Sequence, residues 1–120
     1  MSTMKKIYHL KTCSTCVKII NEVNPGKEVA LQNIKVDKIT AEQLDEMARL
    51  AGSYEALFSR KSTKYKALGL ADKKITEKEY RQLILDEYTF LRRPVSIIEN
   101  EIFIGNAKAV TEALKNKLHN

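Results

Sequence analysis

The stretch YHLKTCSTCVK, residues 8–18, contains both cysteines of the chain, Cys13 and Cys16, three positions apart. The residues leading into it (KKIYHL, 5–10) have the character of a short β-strand. Beyond Cys13, apolar side chains recur at helical spacing, namely Cys16, Ile20 and Val23. The Asn-Pro-Gly segment at 24–26 ends this predicted helix. The stretch therefore predicts a strand, a short loop with Cys13, and a helix that starts directly behind it.

The rest of the chain continues this alternation of strands and helices. The other predicted elements are a second strand at 28–36, helices that begin after Thr40 and Thr76, short helical pieces at 53–70, a β-hairpin of 95–99 and 102–105, and a last helix at about 107–118. Both threonines start a capping box, because Gln43 and Glu79 follow three positions later.

The order of these elements predicts the fold class. A close β-α-β unit favours parallel strands, and a hairpin favours antiparallel ones. We therefore expect a single α/β domain over residues 1–120, with a mixed four-stranded sheet and helices on both faces. A helical insertion at about 40–88 separates the second strand from the third.

Composition narrows the class of protein. The 120 residues are 43% hydrophobic and 30% charged, as in ordinary globular domains. No apolar run approaches the ~20 residues that span a bilayer, and the N-terminus lacks a signal-peptide pattern. We therefore expect a cytoplasmic protein with no membrane partner, in a compartment that keeps thiols reduced.

The formal net charge is +6, and the basic side chains cluster in two segments. These are Arg60, Lys61, Lys64 and Lys66, and then Arg92 with Arg93. A field of this sign attracts anions such as small oxyanions, glutathione or acidic protein surfaces, although most of the lysines fit ordinary surface. Zinc-finger spacing and strands rich in both basic and aromatic residues are missing, so direct nucleic-acid binding is not expected.

Three interpretations compete for the cysteine pair. A zinc site takes four ligands, of which the cysteines supply two, and His9 and His119 are the only histidines. As a plain core residue, Cys16 fits the apolar stripe of its helix, but Cys13 lies in a loop. A Cys-x-x-Cys between the strand and the helix of a β-α-β unit is typical of a thioredoxin-like redox site. This last interpretation accounts for both cysteines, and we expect no metal.

The position of Cys13 favours ionisation of its thiol. A helix N-terminus contributes at most ~2 kcal/mol, or about 1.5 pKa units, to a thiolate. From an ordinary thiol pKa near ~8.5, this leaves the thiol about half ionised at neutral pH. Stronger ionisation needs a cation, for which His9 and Arg93 are the candidates. Cys16, one turn further into the helix, can then close a disulfide with Cys13.

Several motifs resemble those of one known family. They are IYH with the first cysteine (Ile7, Tyr8, His9, Cys13), the middle pattern of Ala56, Leu57, Phe58, Arg60, Tyr65, Leu68, Gly69 and Leu70, and LRRPV at 91–95. Over nearly its whole length, the chain resembles the arsenate reductases of the glutaredoxin-coupled type, together with the Spx-type regulators. The resemblance implies a thioredoxin-like domain with a helical insertion ahead of a β-hairpin.

The resemblance also implies which residues bind a substrate. Arg93 corresponds to an oxyanion-binding arginine, and Pro94 to a proline with a cis peptide bond. Arg60 is the nearest match for a second oxyanion-binding arginine.

Catalytic roles follow from the same resemblance. Cys13 is expected to be the nucleophile, Cys16 the resolving thiol, and His9 a residue that stabilises the thiolate. No bound cofactor is implied, because the reductant is external: glutathione with glutaredoxin, or thioredoxin.

The two branches of this family imply different functions. The arsenate branch places further arginines where this chain has Val17 and, approximately, Gly105, and it lacks the second cysteine. A Cys-x-x-Cys is typical of the regulator branch, in which a glycine matching Gly52 helps contact the α subunit of RNA polymerase. We favour a thiol-disulfide oxidoreductase that reduces arsenate or another small oxyanion or disulfide. The alternative is a redox-sensing transcription regulator that binds the RNA polymerase α subunit.

Overall fold

The computed structural model describes residues 5–119, which contain nine helices and strands of regular type. In chain order they are β1 (Lys5–His9), α1 (Ser14–Val23), β2 (Ala30–Asn33), α2 (Ala41–Ala51), α3 (Thr63–Ala67), α4 (Glu77–Asp86), β3 (Val95–Ile98), β4 (Glu101–Ile104) and α5 (Lys108–His119). Short 3-10 turns lie at Glu55–Leu57, Leu70–Asp72 and Tyr88–Phe90. Within 5–119, no helix has the length and apolarity that crossing a membrane requires.

These residues form two compact units. The first contains the described residues up to Lys38 and those from Arg93 onward, and the second spans Ile39–Arg92. The first unit holds all four strands, and the second corresponds to the predicted helical insertion between β2 and β3.

The sheet of the first unit has the strand order β2-β1-β3-β4. β1 is parallel to β2, with Ile7 opposite Leu31, and antiparallel to β3, with Ile7 opposite Ser96. β3 and β4 form the antiparallel hairpin, in which Ser96 lies opposite Phe103. The predicted α/β class, the strand directions and the place of the insertion are therefore confirmed.

Two boundaries and one buried position differ from the sequence prediction. β2 is shorter than the predicted 28–36, because regular pairing with β1 ends at Asn33. The hairpin turn lies one residue earlier than predicted, at 99–100, with Glu99 in the left-handed region at φ 59°. In α1 the buried side chain is Ile19, whereas the predicted Ile20 is only half-buried.

One face of the sheet carries a packed hydrophobic cluster of the first unit. This cluster contains Ile19, Val23, Ile98 and Leu114, with Phe103 and Leu118 packed against it. Helices α1 and α5 therefore cover the face of β3 that presents Ile98. Because side chains alternate along a strand and paired residues share a face, Ser96 and Ile7 lie on this face, and so does His9.

The two longer helices of the second unit, α2 and α4, begin at the predicted capping residues. Thr40 Oγ1 accepts the Gln43 N–H at 3.0 Å, and Thr76 Oγ1 accepts the Glu79 N–H at 3.3 Å. In each case the side chain three positions on accepts the threonine N–H in return. The Glu77 carboxylate of α4 also accepts two backbone N–H groups, from residues 54 and 55. Local sequence signals thus determine where α2 and α4 begin.

Replacing Thr76 by alanine should destabilise the protein, because the Glu79 N–H loses its acceptor at the start of α4. We expect the free energy of unfolding in urea to fall by about 1 kcal/mol. Thr63→Ala is the matched control, since Thr63 is exposed at the start of the short helix α3. It should change stability by less than about 0.5 kcal/mol. Equal losses for the two variants would contradict the capping role.

Candidate active site

The turn between β1 and α1 fixes Cys13 at the start of the helix. The Cys13 N–H donates to the Leu10 carbonyl at 3.0 Å, which closes the turn after β1. The Cys13 carbonyl accepts the Val17 N–H at 3.1 Å, which is the first bond of the helix. Cys13 is the N-cap residue, with extended backbone at φ −92° and ψ 111°. Its side chain is partly exposed, so a substrate can reach the sulfur.

The surroundings of Cys13 stabilise its thiolate. Burial opposes ionisation, but it is outweighed by hydrogen bonds to the sulfur from the Cys16 N–H, the Cys16 thiol and the Thr15 N–H. The positive charge of Arg93 acts in the same direction. Together these groups lower the pKa of Cys13 from its ordinary value. The predicted ionisation thus has a structural basis in the first turn of α1.

Cys16 has the opposite character. Its side chain is fully buried, and burial is the main reason that its pKa is raised to about 11. The Leu10 N–H donates to its sulfur and opposes this rise, whereas the neighbouring Cys13 adds to it. Both cysteines are free thiols in this structure. At neutral pH, Cys16 therefore remains protonated and donates its S–H to the Cys13 sulfur.

Arg93 lies directly ahead of β3 and acts on both sulfurs through its charge. Its Nη1 atom is buried and makes no hydrogen bond to any of residues 5–119. The peptide bond to Pro94 is cis, as the resemblance implies, and the Pro94 carbonyl accepts the Gly105 N–H at 2.9 Å. Buried guanidinium N–H groups normally find an acceptor, so an unpaired Nη1 is unusual.

His9 is buried at the end of β1, with 5% of its surface exposed. Burial, followed by the positive charge of Lys11, lowers the pKa of His9 below its ordinary value of 6.5. The imidazole is therefore neutral at pH 7 and supplies no positive charge. Of the two cations considered beside Cys13, only Arg93 fills that role.

Arg60 lies in the second unit, where its guanidinium has partners already. It donates to the Glu55 carboxylate at 3.1 Å and to the Tyr80 hydroxyl at 3.0 Å. Its role in substrate binding remains a prediction, and an anion bound there competes with Glu55.

Ser96 is a buried polar residue of the first unit that the sequence interpretation missed. It is 0% exposed, and its Oγ has no hydrogen-bond partner among the described residues. The available signal was one hydroxyl in an otherwise apolar strand, VSII. Among residues 5–119, no group of three or more His, Cys, Asp or Glu side chains is placed to hold a metal ion.

A mixed sheet with a parallel β-α-β unit, a terminal hairpin and Cys-x-x-Cys at the start of α1 defines a thioredoxin-like dithiol domain. Comparison with family models gives a match to the ArsC family over residues 8–114. This chain belongs to the ArsC family.

Solved structures share the fold along nearly their whole length. An arsenate reductase from Vibrio cholerae is 17% identical, with a TM-score of 0.77 over 98% of this chain and 100% of that one. An arsenate reductase (ArsC) related protein from Brucella melitensis is 24% identical, with a TM-score of 0.71 over 94% and 95%. A protein from Bacteroides fragilis, described as related to the ArsC family, is 26% identical, with a TM-score of 0.76 over 95% and 99%. None of the curated proteins compared with this chain matches it.

The two thiols should differ in their pH dependence of alkylation. The thiolate is the reacting species, so a lowered pKa moves the rate profile of Cys13 to lower pH than that of a free thiol. Burial raises the pKa of Cys16 and moves its profile to higher pH. Site-resolved mass spectrometry of the reduced chain, alkylated across a pH series, measures both profiles. Coincident profiles would contradict the assignment.

Removal of the Arg93 charge should shift the Cys13 profile to higher pH, because one contribution that lowers the pKa of Cys13 is lost. Arg93→Met is the test variant, and Arg92→Met is its matched control. The Arg92 side chain donates instead to the Phe58 carbonyl at 3.2 Å. An equal shift in both variants would show a general charge effect and not a specific role of Arg93.

Proposed function

We propose that this protein is a thiol-disulfide oxidoreductase in which Cys13 is the nucleophile and Cys16 the resolving thiol. One observation carries the proposal: the N–H groups of residues 15 and 16 and the Cys16 thiol all donate to the Cys13 sulfur. A thiolate held in this way is a nucleophile at neutral pH. Once Cys13 has formed an adduct with the substrate, the neighbouring Cys16 attacks the Cys13 sulfur.

With a disulfide substrate, the Cys13 thiolate attacks one sulfur, and the other half of the substrate leaves as a thiolate. Cys16 then attacks the Cys13 sulfur and releases the second half, which leaves a Cys13–Cys16 disulfide. The substrate has gained two electrons and the protein has lost two. No bound cofactor is needed, because external glutathione with glutaredoxin, or thioredoxin, restores both thiols.

With arsenate, the Cys13 thiolate forms a sulfur–arsenic bond, and one arsenate oxygen leaves as water after protonation. Attack of Cys16 on the Cys13 sulfur breaks the new bond and leaves its electron pair on arsenic. Arsenite departs, and the two cysteines form the disulfide. Arg93 supports a small oxyanion substrate, since its buried Nη1 offers a free donor beside Cys13. Arg60 is the second proposed anion-binding residue.

The test is turnover of arsenate and of a small disulfide, each with glutathione and glutaredoxin or with thioredoxin. Cys13→Ser should abolish turnover of both substrates. Cys16→Ser should stop the thioredoxin-coupled reaction after one attack, because the adduct on Cys13 is not resolved within the chain. Arg93→Met should raise KM for arsenate more than for an uncharged disulfide, while Arg92→Met changes neither. Turnover of either substrate by the Cys13→Ser variant would contradict the proposal.

A second candidate is the redox-sensing regulator, in which the same disulfide is a switch for binding the RNA polymerase α subunit. The presence of Cys16 favours it, and so does Gly52. This glycine ends α2 at φ 96°, and a Cβ there would meet no heavy atom within 4 Å. The position is therefore open to a partner surface.

Binding of the isolated polymerase α subunit to the reduced and the oxidised chain tests this alternative. Gly52→Arg should weaken binding if this glycine is part of the contact. Gly69→Arg is the matched control, since Gly69 also has positive φ, 66°, and open space around its Cβ. Absence of binding in both redox states removes the regulator function.

A further inference from the structure

Two buried polar atoms of the first unit, His9 Nδ1 and Ser96 Oγ, have no hydrogen-bond partner among residues 5–119. Both side chains are more than nine-tenths buried, with 5% and 0% of their surface exposed. Such atoms are uncommon in folded proteins and call for a specific explanation. Neither of them is among the main groups that lower the pKa of Cys13.

The two side chains share the face of the sheet that α1 and α5 cover. Ser96 lies opposite Ile7 in the β1–β3 pair, and His9 follows Ile7 by two positions. His9 and Ser96 are therefore diagonal neighbours on one face, at a separation that longer side chains bridge.

Cys16 lies above the same part of this face. The Leu10 N–H donates to the Cys16 sulfur, and this N–H belongs to the peptide bond that His9 forms with Leu10. α1 then runs back along β1, so that Val23 packs in the cluster with Ile98 at the far end of the sheet. The buried thiol is thus placed at the His9 end of β1.

We propose that His9 is the proton acceptor for Cys16 in the resolving step, with the Ser96 hydroxyl as its polar neighbour. This inference rests on the proposed oxidoreductase function, and it assigns His9 to Cys16 rather than to Cys13.

The chemistry explains why Cys16 needs an acceptor only at that stage. In the reduced protein, its S–H donates to the Cys13 thiolate, whose charge helps to raise the pKa of Cys16. Once Cys13 is in a mixed disulfide, that acceptor and that charge are gone. The Cys16 sulfur then attacks the Cys13 sulfur, the bond to the substrate half breaks, and the departing thiolate takes the electron pair. The Cys16 proton passes to His9.

The state of His9 suits this task. Burial and Lys11 lower its pKa, so the imidazole is neutral and one ring nitrogen has a free lone pair. The ionisable groups around it are Lys11 beyond β1, Cys13 and Cys16 on α1, and Arg93 ahead of β3. Burial and the positive charge of Lys11 disfavour a lasting imidazolium, so His9 passes the proton on to the departing thiolate.

A stopped-flow reaction with an aromatic disulfide that releases coloured nitrothiobenzoate separates the two steps. Attack by Cys13 releases the first coloured thiolate, and attack by Cys16 releases the second. In His9→Gln, we expect the first phase to stay within about 2-fold and the second to slow by about 100-fold or more, the usual contribution of a general base. Ser96→Ala should slow the second phase alone. Lys18→Gln, an exposed change on α1, should leave both phases as they are.

The pH profile of the wild-type chain tests the same point without a variant that could misfold. With His9 as acceptor, the second phase should be nearly independent of pH through the neutral range and fall below the lowered pKa of His9. A second-phase rate proportional to hydroxide through that range overturns the inference. So does a His9→Gln chain that slows in the first phase only, or in neither. Failure of the wild-type chain to show a second phase would instead count against the proposed function.

Discussion

The arrangement of this site depends on the backbone of Leu10, which ties β1 to both thiols. Its carbonyl accepts the Cys13 N–H and closes the turn, while its own N–H donates to the Cys16 sulfur. Because of the first bond, Cys13 lies where the free N–H groups at the start of α1 converge. Because of the second, the Cys16 side chain, on the first turn of α1, is held against the end of β1. One residue that carries no chemistry itself thereby sets the relative position of the two reacting sulfurs.

Burial makes these two sulfurs unequal. At Cys13, burial is only partial, and hydrogen bonds together with the Arg93 charge outweigh it. At Cys16, the burial is complete, and the pKa rises to about 11. The proposed order of attack follows from this difference, because only the thiolate is a competent first nucleophile. In the proposed resolving step, the buried thiol of Cys16 gives its proton to His9, which can accept it because the imidazole is neutral.

The sequence predicts the features that depend on local patterns and misses those that depend on packing. The caps at Thr40 and Thr76 are read from residues three positions away, so the starts of α2 and α4 are predictable. The turn at Glu99 is not, since glutamate carries no preference for positive φ. The protonation state of His9 is not predictable from the sequence either, because its burial depends on strands and helices that are distant along the chain. The burial of Ser96 is equally hard to predict, because a buried hydroxyl and an edge-strand hydroxyl look alike in a sequence.

For the proposed oxyanion substrate, Arg93 would interact with two anions, the substrate and the Cys13 thiolate. Its charge stabilises the Cys13 thiolate through space, without a hydrogen bond to the sulfur among the causes of the lowered pKa. The Nη1 atom of Arg93 therefore makes no hydrogen bond to the thiolate. A substrate oxyanion can bind to Nη1 while the thiolate keeps its own donors, which are the N–H groups of Thr15 and Cys16. Binding of the anion still weakens the stabilisation that Arg93 gives to Cys13, because two negative charges share one positive charge. Attack on the substrate relieves this repulsion, since it turns the thiolate into a neutral sulfur, and the site thus favours the adduct over the two separate anions.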